Sequence, residues 1–321
     1  MNGSRRLVGA SLALASALAW GGMFPVVKSA LPLVDAFSLT LVRYGVASII
    51  FAGLLLAFEG RRAFALEGHG LRLFLLGSAG FAGFSLLAFV GLNYTRPQNE
   101  ALVMATMPLI TAVVIAVRRR ALPAAHTVVA IGVALLGVAL VITHGSMAEL
   151  AGGRVGLGDL MALAGATCWV LYSTGGAELP TWSPLRYTTL TACLGTVTIA
   201  GATALAVVTG HVRPPSPSAL AAVGPQLAYL VVIAAVMAVF TWNAGLQRLG
   251  PQNGVLFINL VPVTTFAVEV AGGYRPGSLE LLGAAITIVA LLANNLYGRR
   301  AAAAPGRPVV RAAVAAGPAD R

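Results

Sequence analysis

Four charged side chains, Lys28, Arg43, Glu100 and Glu269, stand within or at the ends of stretches otherwise built from Ala, Val, Leu, Ile and Gly. In an apolar medium an unpaired charge is expensive, so each of them invites a functional question. The planar fork of Arg43 suits a carboxylate, which it can hold with two hydrogen bonds; the plain alternative is a side chain that snorkels outward or pairs with a nearby carbonyl. Glu269 and Glu100 could each bind a substrate amine or carry a coupling proton. Glu100 also reads as a carboxylate at a helix N-terminus, where the helix dipole favours it, and Glu269 as an interfacial residue reaching headgroup water. Lys28, the only lysine, is an outer gate or an end-of-helix cation.

Aromatic groups stand beside these charges. Trp20 and Trp169 lie well inside their apolar stretches, whereas belt tryptophans sit at the ends. Phe24 follows one turn after Trp20, Tyr172 three residues after Trp169, and Trp242 adjoins Asn243. Aromatic walls with a few amides suit an amphipathic organic solute better than a bare ion, although a mid-helix tryptophan is as often packing. Asn259 must find a partner if buried, either a ligand or the next helix. Pro108 and Pro262 each remove one backbone hydrogen bond, making a kink that serves as a hinge or stays static. The sequence contains no HExxH, P-loop, Gly-x-Ser-x-Gly or His/Cys cluster. No catalytic residue, metal site or cofactor is therefore expected, and the chain is not read as an enzyme. Cys168 and Cys193 fall in apolar runs and read as small buried hydrophobes.

What must position these groups follows from composition. Of 321 residues, 58% are apolar and 10% charged, against roughly 25% charged in a soluble domain. Such a chain cannot cover a globule with polar surface, which excludes a soluble enzyme, a disordered chain and a disulfide-stapled module. The bilayer is its solvent. A crossing helix takes about 20 apolar residues, and the chain reads as ten of them, at 7–27, 36–58, 72–94, 98–117, 124–143, 157–176, 186–209, 226–247, 252–271 and 279–297. Pro- and Gly-containing turns separate them, among them Leu31-Pro32, Arg96-Pro97, Gly152-Gly153, Gly250-Pro251 and Pro276-Gly277. Residues 298–321 read as a disordered cytoplasmic tail.

The net charge of +11 would suggest nucleic acid in a soluble chain. Here the positions of the charges give a topology. With the N-terminus inside, fifteen of the 21 Lys and Arg fall on inner loops and ends, five on outer loops, and Arg43 within a span. That distribution follows the positive-inside rule and puts both termini in the cytoplasm. Arg5-Arg6 before an apolar run imitates a secretory signal. The run is too long for a signal core, however, and it recurs: Gly9–Trp20 (GASLALASALAW) aligns with Gly158–Trp169 (GDLMALAGATCW) at an offset of 149.

A second repeat is stronger. Gly91–Thr111 and Gly245–Thr265 align at an offset of 154 with eight of 21 positions identical, including Pro97/Pro251, Gln98/Gln252, Asn99/Asn253 and Pro108/Pro262. The chain is read as two five-helix units, 1–145 and 154–297. An odd number of crossings makes the second unit enter from the opposite side, giving an inverted repeat. Many secondary transporters are built this way, with substrate bound near the midplane between the halves. The other readings are a channel, or a non-transporting membrane protein or enzyme, on the same duplicated scaffold.

The residues Ala19-Trp20-Gly21-Gly22-Met23-Phe24 followed by Lys28, Arg43 in the second helix, and Leu92-Asn93-Tyr94-Thr95 running into Pro97 and Pro108 are similar to the EamA-type members of the drug/metabolite transporter superfamily. The resemblance covers residues 7–297. It implies an all-α integral membrane protein of the bacterial inner membrane that exports an amino acid, related metabolite or drug. It also implies a cavity lined by helices one to four and six to nine, with five and ten as scaffold. The expected partners are a small-molecule substrate and the lipid bilayer, with nucleic acid excluded and a homodimer left open.

Overall fold

The structure, a computed structural model, describes residues 3–118, 120, 122, 125–142 and 156–303. Among these residues every regular element is helical. The rods are α1 (Ser4–Ala30), α2 (Ala36–Glu59), α3 (Gly70–Gly91), α4 (Pro97–Ala105 with Met107–Arg118), α5 (Ala125–Ile142), α6 (Leu157–Gly176), α7 (Pro184–Val208), α8 (Gly224–Leu249), α9 (Val255–Ala271) and α10 (Ser278–Ala303). Five of them, α1, α2, α3, α7 and α8, are long and apolar enough to cross a membrane; the bent α4 makes a sixth. The apolar stretches of α5, α9 and α10 are shorter.

Local chemistry explains where the rods begin. The Asp35 carboxylate accepts from the backbone N–H of Phe37 and Ser38, both at 2.9 Å, and starts α2. Ser183 caps α7 through Arg186 N–H at 2.9 Å, with Pro184 in the first turn. Pro97 occupies the same place in α4. The last helix runs to Ala303, into the stretch read as a tail, because its final alanines have high helix propensity. Residues 304–321, the Gly152-Gly153 turn and most of the α5–α6 connection lie outside the described residues.

The repeat seen in sequence recurs as matching irregularities. A π-helical stretch interrupts α3 at Ser78–Gly83 and α8 at Tyr229–Met237. At the repeat offset of 154 the first falls on the end of the second. The two halves of α4 bend by 41° at Thr106, two residues before Pro108. In α9 a 3-10 turn over Val255–Asn259 gives way to a helix that starts at Leu260, two residues before Pro262. Both prolines thus sit in the first turn of a restarted helix, where their missing N–H costs least.

Packing interlocks the two units. α1 lies against α8 and α3 against α6, while α2 pairs with α7 and α5 with α10. The first two contacts use equivalent glycines: a Cβ on Gly158 would lie 2.8 Å from the Gly91 carbonyl oxygen, and one on Gly245 would lie 3.1 Å from that of Gly9. Small residues let backbones approach where no hydrophobic effect drives helices together. α2 and α7 run antiparallel: Ser183 Oγ reaches Glu59 at one end, Thr203 Oγ1 reaches the Phe37 carbonyl at the other, and Ser48 Oγ meets Thr196 Oγ1 at 2.9 Å in the middle.

Polar contacts define two ends. At one, Glu178 after α6 pairs with Arg72 of α3 and with Arg118 of α4, the latter at 2.7 Å. At the other, Lys28 Nζ donates to the carbonyls of Leu92 and Thr95, Thr95 Oγ1 donates to Asp159 at 2.7 Å, and Arg96 lies 3.8 Å from Glu280.

Candidate functional site

A cavity of about 370 Å³ opens at the end that carries Glu178. Trp182, Tyr187, Asn243 and Gln247 line it, together with the ends of α6 and α8. α6, α7 and α8 build its floor. Asn243 Nδ2 donates to Tyr172 Oη and to Thr188 Oγ1, each at 2.7 Å, and Tyr187 Oη donates to the Tyr172 carbonyl at 2.7 Å. These bonds leave the floor polar but neutral, and Arg5 brings a positive charge to the cavity lining.

From that floor an aromatic column runs into the protein. Tyr187 stacks on Tyr172 at 5.2 Å, and Tyr172 meets Phe81 and Trp169, both at 5.1 Å. Trp169 touches Trp20 edge-on at 5.3 Å, and Trp20 touches Trp242 at 5.3 Å. Trp20 and Trp169 are repeat equivalents that meet face to edge, and Ser48 and Thr196, each twelve residues after the start of its helix, share a hydrogen bond.

Arg43 closes the column. Its guanidinium lies 4.7 Å from the centre of the Tyr44 ring and 5.4 Å from that of Phe89, and Tyr44 in turn contacts Phe81. Arg43 Nη2 donates to the Ala234 carbonyl at 3.1 Å, which also accepts from Trp20 Nε1 at 2.9 Å. The π-helical stretch of α8 makes this carbonyl available, because Ala238 N–H, its ordinary helical donor, bonds Ala235 and Ile233 instead. The glycines of α1 permit the approach: a Cβ on Gly22 would meet the Tyr229 hydroxyl at 2.5 Å, and that hydroxyl donates to the Ala19 carbonyl at 2.5 Å.

The arrangement joins Trp20, Trp169, Tyr172, Trp242 and Arg43, and it separates other residues singled out by sequence. Phe24 is fully buried one turn beyond Trp20. Glu269 accepts from Gln98 Nε2 of α4 at 3.2 Å, so it belongs to an α4–α9 contact. Glu100 is buried in the first turn of α4 beside Gly91, with Oε2 unpartnered. Lys28 ends on the exposed carbonyls at the end of α3, as a helix C-terminus favours. The amide of Asn259 is buried without a partner. Tyr187, Phe81, Tyr44 and Thr188 complete the column and its floor without having been singled out. Tyr44, adjacent to Arg43, carried the one signal that sequence offered.

This arrangement can hold an apolar or aromatic body along stacked rings while polar groups grip its end. Comparison with known proteins gives the chain its family. Residues 7–143 and 156–296 both match the model of the EamA-like transporter family. The chain belongs to the EamA-like transporter family. It is 33% identical over 308 residues to a Bacillus subtilis (strain 168) protein named uncharacterized transporter YrdR, covering 94% of this chain and 95% of that one. It is 31% identical over 274 residues to uncharacterized transporter YyaM of the same organism, covering 85% and 88%. A protein of known crystal structure superimposes with a TM-score of 0.62 over 91% of this chain and 99% of its own, at 22% identity, which speaks to the fold alone. This EamA-like chain is a multi-pass membrane protein of a transporter family, with the family unit present twice.

At the mouth of the transporter's cavity, Arg186 packs over the Trp182 ring at 3.9 Å and pairs with Glu67 at 2.8 Å, while Trp182 Nε1 donates to Glu67 at 3.0 Å. The hydrogen bond from Arg186, then that from Trp182, holds the Glu67 carboxyl below its ordinary value. A depressed carboxyl stabilises this contact above its unfolded-state pKa, and the stabilisation is lost as pH falls through the folded value. Trp182 emission should therefore persist through the usual carboxylate range near pH ~4.3 and change only below it. A difference titration against Glu67→Gln checks this: if wild type and variant titrate alike, the contact does not control Trp182.

Proposed function

We propose that the protein is a secondary transporter that exports a small organic solute across the bacterial inner membrane by alternating access. The reading takes ten crossings in two inverted halves, with both termini in the cytoplasm. The observation that carries it is a cavity at the end that carries Glu178, whose floor leads to an aromatic column in which Trp20 of one family unit meets Trp169 of the other. Two related units arranged as inverted halves can exchange conformations, giving two states of similar energy that open to opposite sides.

Several features support the topology. Glu178 ties the ends of α3, α4 and α6 at the cavity end, while Thr95 and Asp159 join the α3–α4 turn to the start of α6 at the other. α4 then ends and α6 starts at opposite ends, so α5 has to cross between them. The antiparallel α2–α7 pair, meeting through Ser48 and Thr196, each twelve residues after its helix start and near the midpoint, suits an axis in the membrane plane. By the positive-inside rule the open end, with Arg5, Arg72, Arg118 and Arg186, is cytoplasmic. The cavity then faces the compartment from which an exporter loads.

Uptake and counterflow of pooled labelled amino acids and metabolites in proteoliposomes, read by mass spectrometry, test the proposal. Saturable accumulation of one compound, accelerated by the same compound on the far side, is the expected result. Flux that never saturates and shows no trans-stimulation would replace the carrier with a channel.

A further inference from the structure

We infer that the transported solute is an organic carboxylate with an aromatic or otherwise apolar body, and that Arg43 holds its carboxylate while the body lies along the tryptophan column. The inference rests on the transporter reading and names the substrate class of that same site.

Arg43 is 1% exposed, yet most of its hydrogen-bonding capacity is unused. Nη2 donates to the Ala234 carbonyl, while Nε and Nη1 have no acceptor. Nη2 carries two N–H groups, one on each edge of the guanidinium plane, and a single acceptor takes only one of them. One edge therefore keeps both donors free, in the parallel spacing that matches the two oxygens of a carboxylate. Among the described residues no carboxylate pairs with Arg43: its neighbours are the rings of Tyr44 and Phe89 and the phenol of Tyr229. Ring faces offset only part of the cost of burying a cation. The charge is thus held ready for an anion that this chain does not supply.

A second unused donor lies along the same column. Trp169 is 3% exposed, and its Nε1 has no partner. Its ring touches that of Trp20, whose own Nε1 shares the Ala234 carbonyl with Arg43. Unpaired donors are what a buried anion site requires, and an unpaired buried donor is costly in a merely structural core.

The repeat gives the site its place in the cycle. Arg43 stands seven residues after the start of α2, and Thr191 stands seven after the start of antiparallel α7. The polar neighbourhood of that part of α7, Thr188 with Asn243 and Tyr172, lies under the cavity, and Asn243 lines it. The Arg43 side is sealed in this state and becomes accessible when the other end opens. A carboxylate thus passes from a neutral polar floor to a cationic site beyond it.

The test compares two probes of nearly equal size, phenylacetate and its neutral analogue phenylacetamide, with the purified full-length protein. Binding is read from tryptophan emission, and transport from counterflow of labelled phenylacetate in proteoliposomes. Phenylacetate should bind at least about tenfold more tightly than the amide, one bidentate contact being worth that much or more. Arg43→Gln should remove the preference, Arg43→Lys should keep part of it, and Trp169→Phe should weaken phenylacetate several-fold while sparing the amide. Equal binding of acid and amide by the wild type would overturn the inference without any variant having to fold, as would Arg43→Gln retaining the preference. If the labelled pool shows counterflow but only with amines or neutral solutes, the substrate class fails and the carrier stands. If nothing in the pool shows counterflow, the carrier reading fails separately.

Discussion

Gly77→Val should leave little folded protein, whereas Gly53→Val should be nearly silent. A Cβ on Gly77 would sit 3.0 Å from the Thr191 carbonyl carbon and 3.1 Å from the Gly195 nitrogen, and one on Gly195 would sit 2.8 Å from the carbonyl carbon of Gly77. All of these are backbone atoms, so no rotamer change relieves the clash, and α3 and α7 would have to separate. Overpacking costs about 1–3 kcal/mol where side chains can shift, and a rigid backbone contact puts this pair at or above the upper end. Around Gly53, on α2, no atom lies within 4 Å of the added carbon. Thermal melting in detergent with monodispersity by size exclusion distinguishes the two. Equal melting of Gly77→Val and Gly53→Val would mean that the close α3–α7 contact does not hold the bundle.

Asn243→Leu should abolish most transport while leaving the protein folded. The Asn243 amide donates to the hydroxyls of Tyr172 and Thr188, both at 2.7 Å, and lines the cavity floor. Leucine keeps the branched shape, though it is larger, but has no donor, so both hydroxyls lose a partner at a cost of about 1–3 kcal/mol each. Tyr172 then loses its orientation at the point where the cavity meets the aromatic column. A ten- to hundredfold loss of initial rate, roughly 1.4–2.7 kcal/mol, is the expected result in proteoliposomes. Tyr172→Phe, which keeps the Asn243–Thr188 bond, should lose less. Wild-type flux in Asn243→Leu would show that the floor takes no part in translocation.

Much of this architecture was legible because the bilayer leaves few choices. An apolar run of sufficient length must satisfy its backbone internally, so composition and turn residues located the rods to within a few positions. The repeat was legible too, and with it the equivalence of Trp20 and Trp169 and of Pro108 and Pro262. The sequence reads as ten spans, whereas among the described residues five helices, or six with the bent α4, are long and apolar enough to cross, the apolar stretches of α5, α9 and α10 being shorter.

The candidate site was legible as residue types but not as partnerships. That Arg43 would also face Phe89 was not readable, because that ring reaches it only through the packing of α2 on α3. Nor was its bond to Ala234, since a π-helical turn in α8 decides which carbonyl is free, and no residue type announces such a turn. Glu269 seemed equivalent to Arg43 as an isolated charge, yet packing set it against Gln98. Asn243, beside Trp242, became the floor of the cavity only through Thr188 of another helix.

By itself, then, the sequence determined an all-helical membrane protein of two related units, because hydropathy and repetition are properties of the chain read locally. Tertiary structure alone decided which donors stay unpaired, which equivalent residues meet and which side chains line the cavity. Those are properties of helices brought side by side from positions more than a hundred residues apart, as Arg43 and Ala234 are.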